Sequence, residues 1–387
     1  MTEKPKPIPV ARPTLGEEEA AAARRAILSG WVVQGPEVEA FEKEFAALMG
    51  APLAVACSSG TAALHLALLA LDLQPGDEVI TVSSSFIATA NAVRYVGATP
   101  VFVDVELETG NLNPDLIEPA ITPRTQAILA VHQLGMPCDL GRILAIAQRH
   151  KLPVVEDAAC AIGSEIRLAG GDWEPIGRPR GRLATFSFHP RKVITTGDGG
   201  MVTGGDPEIM ARLARLRTHA MSLSTAERHG SGKVMFEQYP EVGYNYRLSD
   251  IQGAVGREQL KRLPGLVAAR RRLASRYREA LAGNPHLTLP REPDFARSNW
   301  QSFWIILPDD APLSQVELMQ TLLARGIHTR RGVMCAHREP AYRELPLRRP
   351  LPVSEIIEDR SVILPLYPEL TERDQDRVIA ALAEILR

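Results

Sequence analysis

The chain has 387 residues, of which 45% are apolar and 23% charged, and its formal net charge is −2. The length suggests two or three structural units of a globular protein, and the balanced charge gives no general attraction to nucleic acid or to an anionic membrane. Four widely spaced cysteines without a C-x-x-C pair argue against a zinc site or a disulfide framework. No apolar run approaches the roughly 20 residues of a membrane span, and the N-terminal residues form no apolar signal core. We therefore expect a cytoplasmic protein that binds neither nucleic acid nor membrane.

Hydrophobic periodicity predicts alternating strands and helices over the first half of the chain. In chain order we predict helices at 17–28 and 38–49, strand 53–57, helix 61–71, strand 78–82, helix 88–95, strands 99–103 and 126–131, helix 140–149 and strand 153–157. This alternation is typical of a mostly parallel sheet covered by helices on both faces.

The pattern changes after residue 256, where a long Arg-rich helix is predicted at 257–281. A strand at 301–307, helices at 314–325 and 372–386, and a Pro-rich surface loop at 345–352 follow. We predict an α/β protein with a large domain at 1–255, which includes an N-terminal arm, and a smaller C-terminal α+β domain at 256–387.

Three segments with chemically useful side chains follow predicted strands, where the ligands of open parallel sheets bind. The first is the turn Ser58-Ser59-Gly60-Thr61, which leads from a strand into a helix. Free backbone N–H groups and the positive end of the helix dipole suit a phosphate there, and Gly60 permits close approach. Hydroxyl side chains that only cap the helix would give the same pattern.

The second segment is the end of strand 153–157, where Asp157 closes an apolar run. A carboxylate at the end of a buried strand is costly unless it meets a partner. A protonated pyridine nitrogen would be such a partner, and the pair would strengthen the ring as an electron sink. The alternative is an aspartate that caps the following turn.

The third segment contains Lys192 in a turn-rich stretch, with Ser187 before it and three glycines after it. A lysine amine enclosed by protein near a cofactor is a better nucleophile than a solvated one, whereas a lone lysine in a glycine-rich loop is ordinarily a surface residue. The order of phosphate turn, strand-end acid and lysine loop is what pyridoxal 5'-phosphate (PLP) requires on a doubly wound sheet.

Longer motifs resemble the DegT/DnrJ/EryC1/StrS family of sugar aminotransferases, which have the aspartate-aminotransferase fold (fold type I of the PLP enzymes, with a seven-stranded sheet in the large domain). The resemblance extends from Pro13 to the C-terminus. It is carried by Ser59-Gly60-Thr61-Ala62-Ala63-Leu64-His65, Pro75-Gly76-Asp77-Glu78-Val79-Ile80, Phe86-Ile87-Ala88-Thr89-Ala90-Asn91-Ala92, Gly97-Ala98-Thr99-Pro100-Val101-Phe102-Val103-Asp104, Glu156-Asp157-Ala158-Ala159, Ser187-Phe188-His189-Pro190-x-Lys192, Thr195-Thr196-Gly197-x-Gly199-Gly200 and Gly243-Tyr244-Asn245-Tyr246-Arg247-Leu248-Ser249-Asp250.

The resemblance implies a PLP cofactor and a role for each matching position. Lys192, the catalytic residue, would form the internal aldimine and move protons, and Asp157 would pair with the pyridine nitrogen. Phe86 would stack on the ring, and Asn245 would reach the phosphate of the neighbouring subunit in a homodimer with shared active sites. The implied cofactor-binding residues are Ser59, Gly60, Thr61, Phe86, Asp157, Cys160, Ser187, Lys192 and Asn245; His189 and His337 are candidate substrate residues, and no metal is expected.

Three departures from the family pattern concern the substrate side of the site. Cys160 stands where the family usually has Gln or His beside the 3'-oxygen of the cofactor, and Val193 stands where many members have Asn. The segment Val333-Met334-Cys335 replaces a stretch that commonly contains Tyr-Pro near the sugar. The resemblance therefore implies the cofactor site in more detail than the sugar pocket.

The predicted reaction transfers an amino group from L-glutamate or L-glutamine to a nucleotide-linked keto-sugar through pyridoxamine phosphate (PMP), as in amino-sugar biosynthesis for a polysaccharide or an antibiotic. A free cyclitol ketone such as scyllo-inosose is an alternative acceptor. The related PMP-dependent sugar dehydratases have His in place of the lysine, so Lys192 argues against that activity. A purely regulatory role would leave the set of Lys192, Asp157 and Ser187 without a purpose, and no basic recognition helix is present.

Overall fold

The apolar strands of the sequence form three sheets in the computed structural model, which describes residues 6–223 and 236–387. The strands are β1 (Leu53–Cys57), β2 (Glu78–Val82), β3 (Thr99–Val103), β4 (Thr125–Val131), β5 (Val154–Asp157), β6 (Glu165–Arg167), β7 (Trp173–Pro175), β8 (Leu183–Ser187), β9 (Gly200–Gly204), β10 (Ala296–Arg297), β11 (Phe303–Ile306), β12 (Arg330–Arg331) and β13 (Ser361–Leu364). The α-helices are α1 (Glu17–Ser29), α2 (Pro36–Met49), α3 (Gly60–Leu69), α4 (Ala88–Tyr95), α5 (Leu140–His150), α6 (Pro207–Leu216), α7 (Asp250–Leu281), α8 (Gln315–Ala324), α9 (Pro352–Arg360) and α10 (Glu372–Ile385).

The largest sheet has seven strands in the order β1-β9-β8-β5-β4-β2-β3. Pairs β2–β3, β2–β4, β4–β5 and β5–β8 are parallel, whereas β9 is antiparallel to both β8 and β1. Apolar side chains of α2, α5 and α7 cover one face, and those of α3, α4 and α6 cover the other. The prediction of a mostly parallel sheet between helices is confirmed.

The C-terminal part of the chain contains the sheet β11-β13-β12, which is antiparallel throughout. Its core includes side chains from α7, α8 and α10. Residues of the N-terminal segment join this part: Ile8 is buried in the same core, and its N–H donates to the carbonyl of Gly326 at 2.8 Å. The N-terminal arm therefore lies against the C-terminal α+β unit.

Helix α7 begins seven residues before the predicted start at 257. Ser249 and Gln252 form a capping box at its start. Gly253 and Gly256 lie in this first part of the helix, where glycine is normally unfavourable, but they allow close packing. A Cβ atom on Gly256 would lie 2.7 Å from the ring of Phe41, and one on Gly253 would lie 2.8 Å from the backbone nitrogen of Val38. These glycines therefore serve the contact between α7 and α2.

A buried carboxylate ties the Pro-rich loop to the main sheet. Glu78 in β2 accepts hydrogen bonds from Thr122 Oγ1 (2.7 Å) and Arg124 Nε (2.8 Å), and it also pairs with Arg348 of the loop. Its side chain is only 3% exposed. Burial raises the pKa of Glu78, but the hydrogen bonds from Thr122, Arg348 and Arg124 outweigh burial, so the pKa lies below its usual value of 4.5.

We expect Glu78→Gln to lower the free energy of unfolding by about 1–3 kcal/mol near neutral pH, because charge-assisted bonds to a buried acceptor are lost. Since the folded-state pKa is depressed, this contribution is present above the unfolded-state pKa and disappears as the pH falls through the folded-state value. Urea unfolding of both proteins at neutral pH and at a series of acidic pH values below the ordinary glutamate pKa measures the difference, with the exposed Glu279→Gln as control. A wild-type-to-variant difference that does not shrink in acid would contradict this explanation.

Within the described ranges, no helix is both long enough and apolar enough to cross a bilayer.

Candidate active site

The predicted phosphate turn lies where three strands meet. Gly200 of β9 pairs with Cys57 of β1 on one side and with Ser187 of β8 on the other. A Cβ atom on Gly200 would lie 2.3 Å from the carbonyl oxygen of Ser59. Glycine at the start of β9 therefore lets the turn after β1 approach Ser187, although the two segments are far apart in sequence.

The turn itself combines a helix cap with unpaired backbone donors. Ser59 Oγ accepts the N–H of Ala62 at 3.1 Å, and the first N–H groups of α3 have no intrahelical acceptor. A Cβ atom on Gly60 would lie 2.6 Å from Cβ of Ser187. The capping interpretation is thus correct for Ser59, and the free N–H groups of the turn still provide an anion-binding helix start next to a hydroxyl.

Asp157 is 5% exposed and is held by two uncharged donors. Its Oδ2 accepts from Thr89 Oγ1 at 2.8 Å, and its Oδ1 accepts from the N–H of Ala159 at 3.2 Å. Thr89 Oγ1 is also 2.8 Å from Ser85 Oγ. In the described part of the chain, no cationic side chain pairs with Asp157. A buried carboxylate in this state suits a cationic ligand group such as a protonated ring nitrogen.

Lys192 lies in the loop between β8 and β9, which closes on itself through backbone hydrogen bonds. The N–H of Phe188 donates to the carbonyl of Gly199 at 2.8 Å, and the N–H of Lys192 donates to the carbonyl of His189 at 2.8 Å. The half-buried amine Nζ is 3.0 Å from Sγ of Cys160. The loop thereby places the lysine amine beside the segment that follows Asp157.

These features line one cleft with a volume of about 650 Å³, a size typical of cofactor and substrate sites. Phe86 presents an apolar ring to it and is 64% exposed. Burial lowers the pKa of His189, and the charges of Arg191 and Lys192 lower it further. The cleft brings together every predicted cofactor-binding residue of the chain except Asn245, namely Ser59, Gly60, Thr61, Phe86, Asp157, Cys160, Ser187 and Lys192, together with His189.

Two predicted residues lie outside this cleft. Asn245 is exposed, and its backbone bridges to Thr218. His337 is not among the lining residues of the described chain; its Nδ1 is 2.7 Å from Ser83 Oγ and its Nε2 is 3.3 Å from Glu355. His337 therefore joins the C-terminal part of the chain to the end of β2.

Several residues in or beside the cleft were not predicted as site residues from the sequence. Thr89 stands within a quoted motif, but its bond to Asp157 depends on how α4 packs beside β5. His132 follows β4, and its Nε2 is 3.1 Å from Glu156. Arg330 reaches the cleft from β12, a strand of two residues. A polar residue directly after each parallel strand was the available indication for His132; Arg330 had none.

A comparison with protein families decides how this cleft is classified. Residues 13–383 match the model of the DegT/DnrJ/EryC1/StrS aminotransferase family. The chain belongs to this family. The resemblance stated from the motifs is confirmed, and the protein is an aminotransferase.

Solved structures of this family share the fold. One is S. venezuelae DesV, at 37% identity over 98% of each chain and a TM-score of 0.89. Another is DesI in the presence of its TDP-sugar product, at 31% identity, 98% of this chain, 92% of that chain and a TM-score of 0.86. A third is Spr1654 from Streptococcus pneumoniae in its PMP form, at 25% identity over 98% of each chain and a TM-score of 0.91. The predicted fold type I architecture is therefore confirmed.

The family depends on PLP, so the cofactor prediction is confirmed. The cleft fits this group: the cradle at Gly60 has no room for a Cβ atom, the hydroxyls of Thr61 and Ser187 lie nearby, and Asp157 lacks a charged partner. Bound PLP supplies an electron sink and a carrier for the amino group. Asp157 would keep a proton on the ring nitrogen, and the amine of Lys192 would bind the cofactor and carry protons.

The cradle at Gly60 yields a prediction. Gly60→Ala should retain less PLP than the wild type, by about tenfold or more in affinity, because the added methyl group must displace Ser187 from the phosphate turn. The ratio of bound PLP to protein after dialysis measures the loss. Gly265→Ala is the matched control, because a Cβ atom on Gly265 meets nothing within 4 Å. Equal PLP retention by both variants would contradict the assignment.

Proposed function

We propose that this aminotransferase moves an amino group from L-glutamate or L-glutamine to a nucleotide-linked keto-sugar, in amino-sugar biosynthesis. The cleft supports this proposal. Lys192 and Asp157 line it, and a second wall of the same cleft is formed by residues that are not predicted to bind the cofactor. This wall contains apolar side chains and arginines, which suit the carbon face of a ring and an anionic group. The TDP-sugar product solved with DesI supports the substrate class.

The residues of the chain divide the work in this proposal. Lys192 acts as the acid–base group: its Nζ removes a proton from one carbon and delivers a proton to another. Backbone hydrogen bonds at both ends of its loop hold the amine in position. Asp157 would face the ring nitrogen, and the donors Thr89 Oγ1 and the N–H of Ala159 hold its carboxylate in place. His189 is neutral at neutral pH, because its pKa is lowered, so it can orient a substrate hydroxyl without adding positive charge.

The test is spectroscopic. Purified protein loaded with PLP should be yellow, and L-glutamate or L-glutamine should abolish the visible absorbance. The PMP form is then mixed with a panel of nucleotide keto-sugars and with scyllo-inosose, and return of the absorbance identifies the acceptor. Return with the cyclitol alone would replace the sugar assignment, and a holoenzyme that reacts with no amino donor would overturn the function.

We further propose that the active enzyme is a homodimer in which Asn245 acts in the site of the partner subunit. Asn245 is exposed and lies outside the cleft of its own chain, although the carbonyl of the next residue, Tyr246, accepts the N–H of Ser58 at 2.8 Å. Exposed apolar side chains also lie on α1 and after it: Ile27, Leu28, Val32 and Val33. Such a patch on a globular chain is typical of an interface.

Subunit complementation tests the shared site. Lys192→Ala and Asn245→Ala chains are co-expressed with different tags, and the mixed dimer is purified through both tags. If Asn245 acts across the interface, each mixed dimer has one intact site and regains about half of the wild-type activity. If Asn245 acts within its own chain, both sites of the mixed dimer lack a residue and activity does not return. A monomer with full activity would also contradict the proposal.

A further inference from the structure

The cleft carries more positive charge than the rest of the molecule. Its lining contains four basic side chains, Arg191, Lys192, Arg330 and Arg331, against two acidic ones, Asp157 and Asp198. The whole chain has a net charge of −2. Because Lys192 and the phosphate turn would serve the cofactor, the arginines are the remaining basic groups that could meet the anionic groups of a substrate.

The two arginines of β12 have different surroundings. Arg331 is engaged, because its guanidinium lies 3.5 Å from Glu339 and 3.5 Å from Glu358. Arg330 makes no side-chain hydrogen bond or ion pair with the residues that the structure describes. Arg331 thus has two carboxylate partners, whereas Arg330 has none among the described residues. The guanidinium of Arg330 is therefore available for a carboxylate from a ligand.

The position of Arg330 is fixed by backbone pairing. Arg330 is in register with Ile363 of β13, and β13 also pairs with β11. The adjoining lining is apolar and includes Val333, Met334 and Leu364. Arg330 itself is exposed and lines the cleft, and its planar guanidinium can bind a carboxylate through two parallel hydrogen bonds.

We propose that the guanidinium of Arg330 binds a carboxylate of the amino donor. The assignment rests on the proposed function and names one of its substrate contacts. The α-carboxylate of an amino acid is one bond from the carbon that loses its proton, so the group that holds it must share a cleft with Lys192, as Arg330 does. A nucleotide diphosphate is separated from the keto carbon by the sugar ring, which places it farther from the lysine.

Arg330→Gln, Arg330→Lys and Arg191→Gln separate the carboxylate and diphosphate assignments. Arg191 is the appropriate comparison because its guanidinium also lines the cleft without an ion pair among the described residues. Arg349→Gln, an exposed arginine outside the cleft lining, is the matched control. Each holoenzyme is mixed with L-glutamate, and the decay of the visible absorbance gives a dissociation constant and a limiting rate. The PMP form is then mixed with a keto-sugar that the wild type accepts.

We expect Arg330→Gln to raise the dissociation constant for L-glutamate by about ten- to a hundredfold, with the limiting rate and the acceptor half-reaction close to wild type. Arg330→Lys should recover part of the affinity. Calorimetry with succinate, a carboxylate that cannot react, should show the same loss of binding to the holoenzyme. A merely structural role would change the limiting rate or PLP retention instead of the donor affinity.

Other outcomes overturn the assignment. Unchanged donor affinity in Arg330→Gln would do so, as would a defect confined to the acceptor half-reaction, which would indicate the diphosphate, or a defect in Arg191→Gln alone. These results leave the wild-type reaction intact and therefore differ from failure of the proposed function, in which the wild-type holoenzyme itself does not respond to any amino donor.

Discussion

Lys192→Ala is expected to lower the rate of amino transfer by about 10³-fold or more, the scale seen when a residue that both binds and transfers protons is removed. The amine of Lys192 is the only lysine amine in the cleft formed by the described residues, and its loop fixes it beside Cys160. No neighbouring lysine can therefore take its place. Stopped-flow absorbance of the reaction with L-glutamate measures the loss directly.

Borohydride trapping gives this variant a readout that does not depend on turnover. Reduction of the wild-type holoenzyme should attach the cofactor to the peptide that contains Lys192, whereas the variant should show no attachment by mass spectrometry. Lys43→Ala is the control, because Lys43 is exposed and pairs with Glu39 on the surface, an interaction of small energy. Attachment at another lysine, or full activity of Lys192→Ala, would reassign the catalytic amine.

Asp157→Asn is expected to slow the donor half-reaction by about 10²- to 10⁴-fold, because a neutral amide cannot keep the ring nitrogen protonated. The substitution preserves shape. An asparagine oxygen can still accept the N–H of Ala159, and the Thr89 hydroxyl can reorient to accept from the new amide. The fold should therefore be retained, and the defect should be chemical.

Rapid-mixing kinetics with L-glutamate, together with measurement of PLP content, checks this expectation. The surface substitution Asp115→Asn is the control, since Asp115 pairs with Arg142 in solvent and does not line the cleft. A variant that binds PLP normally and reacts at the wild-type rate would show that Asp157 does not support the electron sink. Loss of all PLP would instead assign Asp157 to cofactor retention.

Strand and helix positions in the N-terminal half follow from hydrophobic periodicity, and the structure agrees within a few residues there. The strands β8 and β9 were not predicted. The segment Gly200–Gly204 begins and ends with glycine, which is disfavoured in strands, yet Gly200 allows the turn at Ser59 to approach Ser187. At this position the close approach of two backbones outweighs the low strand propensity of glycine.

In the site, too, some residues could be predicted from the sequence and others only from the tertiary structure. Gly60, Asp157 and Lys192 stand at strand ends or in a marked loop, so the rule that ligands bind at the carboxyl edge of a parallel sheet places them together without coordinates. The bond between Thr89 and Asp157 spans 68 positions, and the contact between Lys192 and Cys160 spans 32. Pairings of this kind depend on sheet order, which periodicity does not report.

By itself the sequence determined the fold type and the cofactor, and it predicted which residues would hold the cofactor, because each depends on short segments whose chemistry is local. Only the tertiary structure decided which distant residues share the cleft. It brought in Arg330 from a strand of two residues, which is held by pairing with β13, and it placed His337 beside Ser83, far away in sequence. Such placements depend on pairing between distant segments of the chain, which local sequence patterns do not specify.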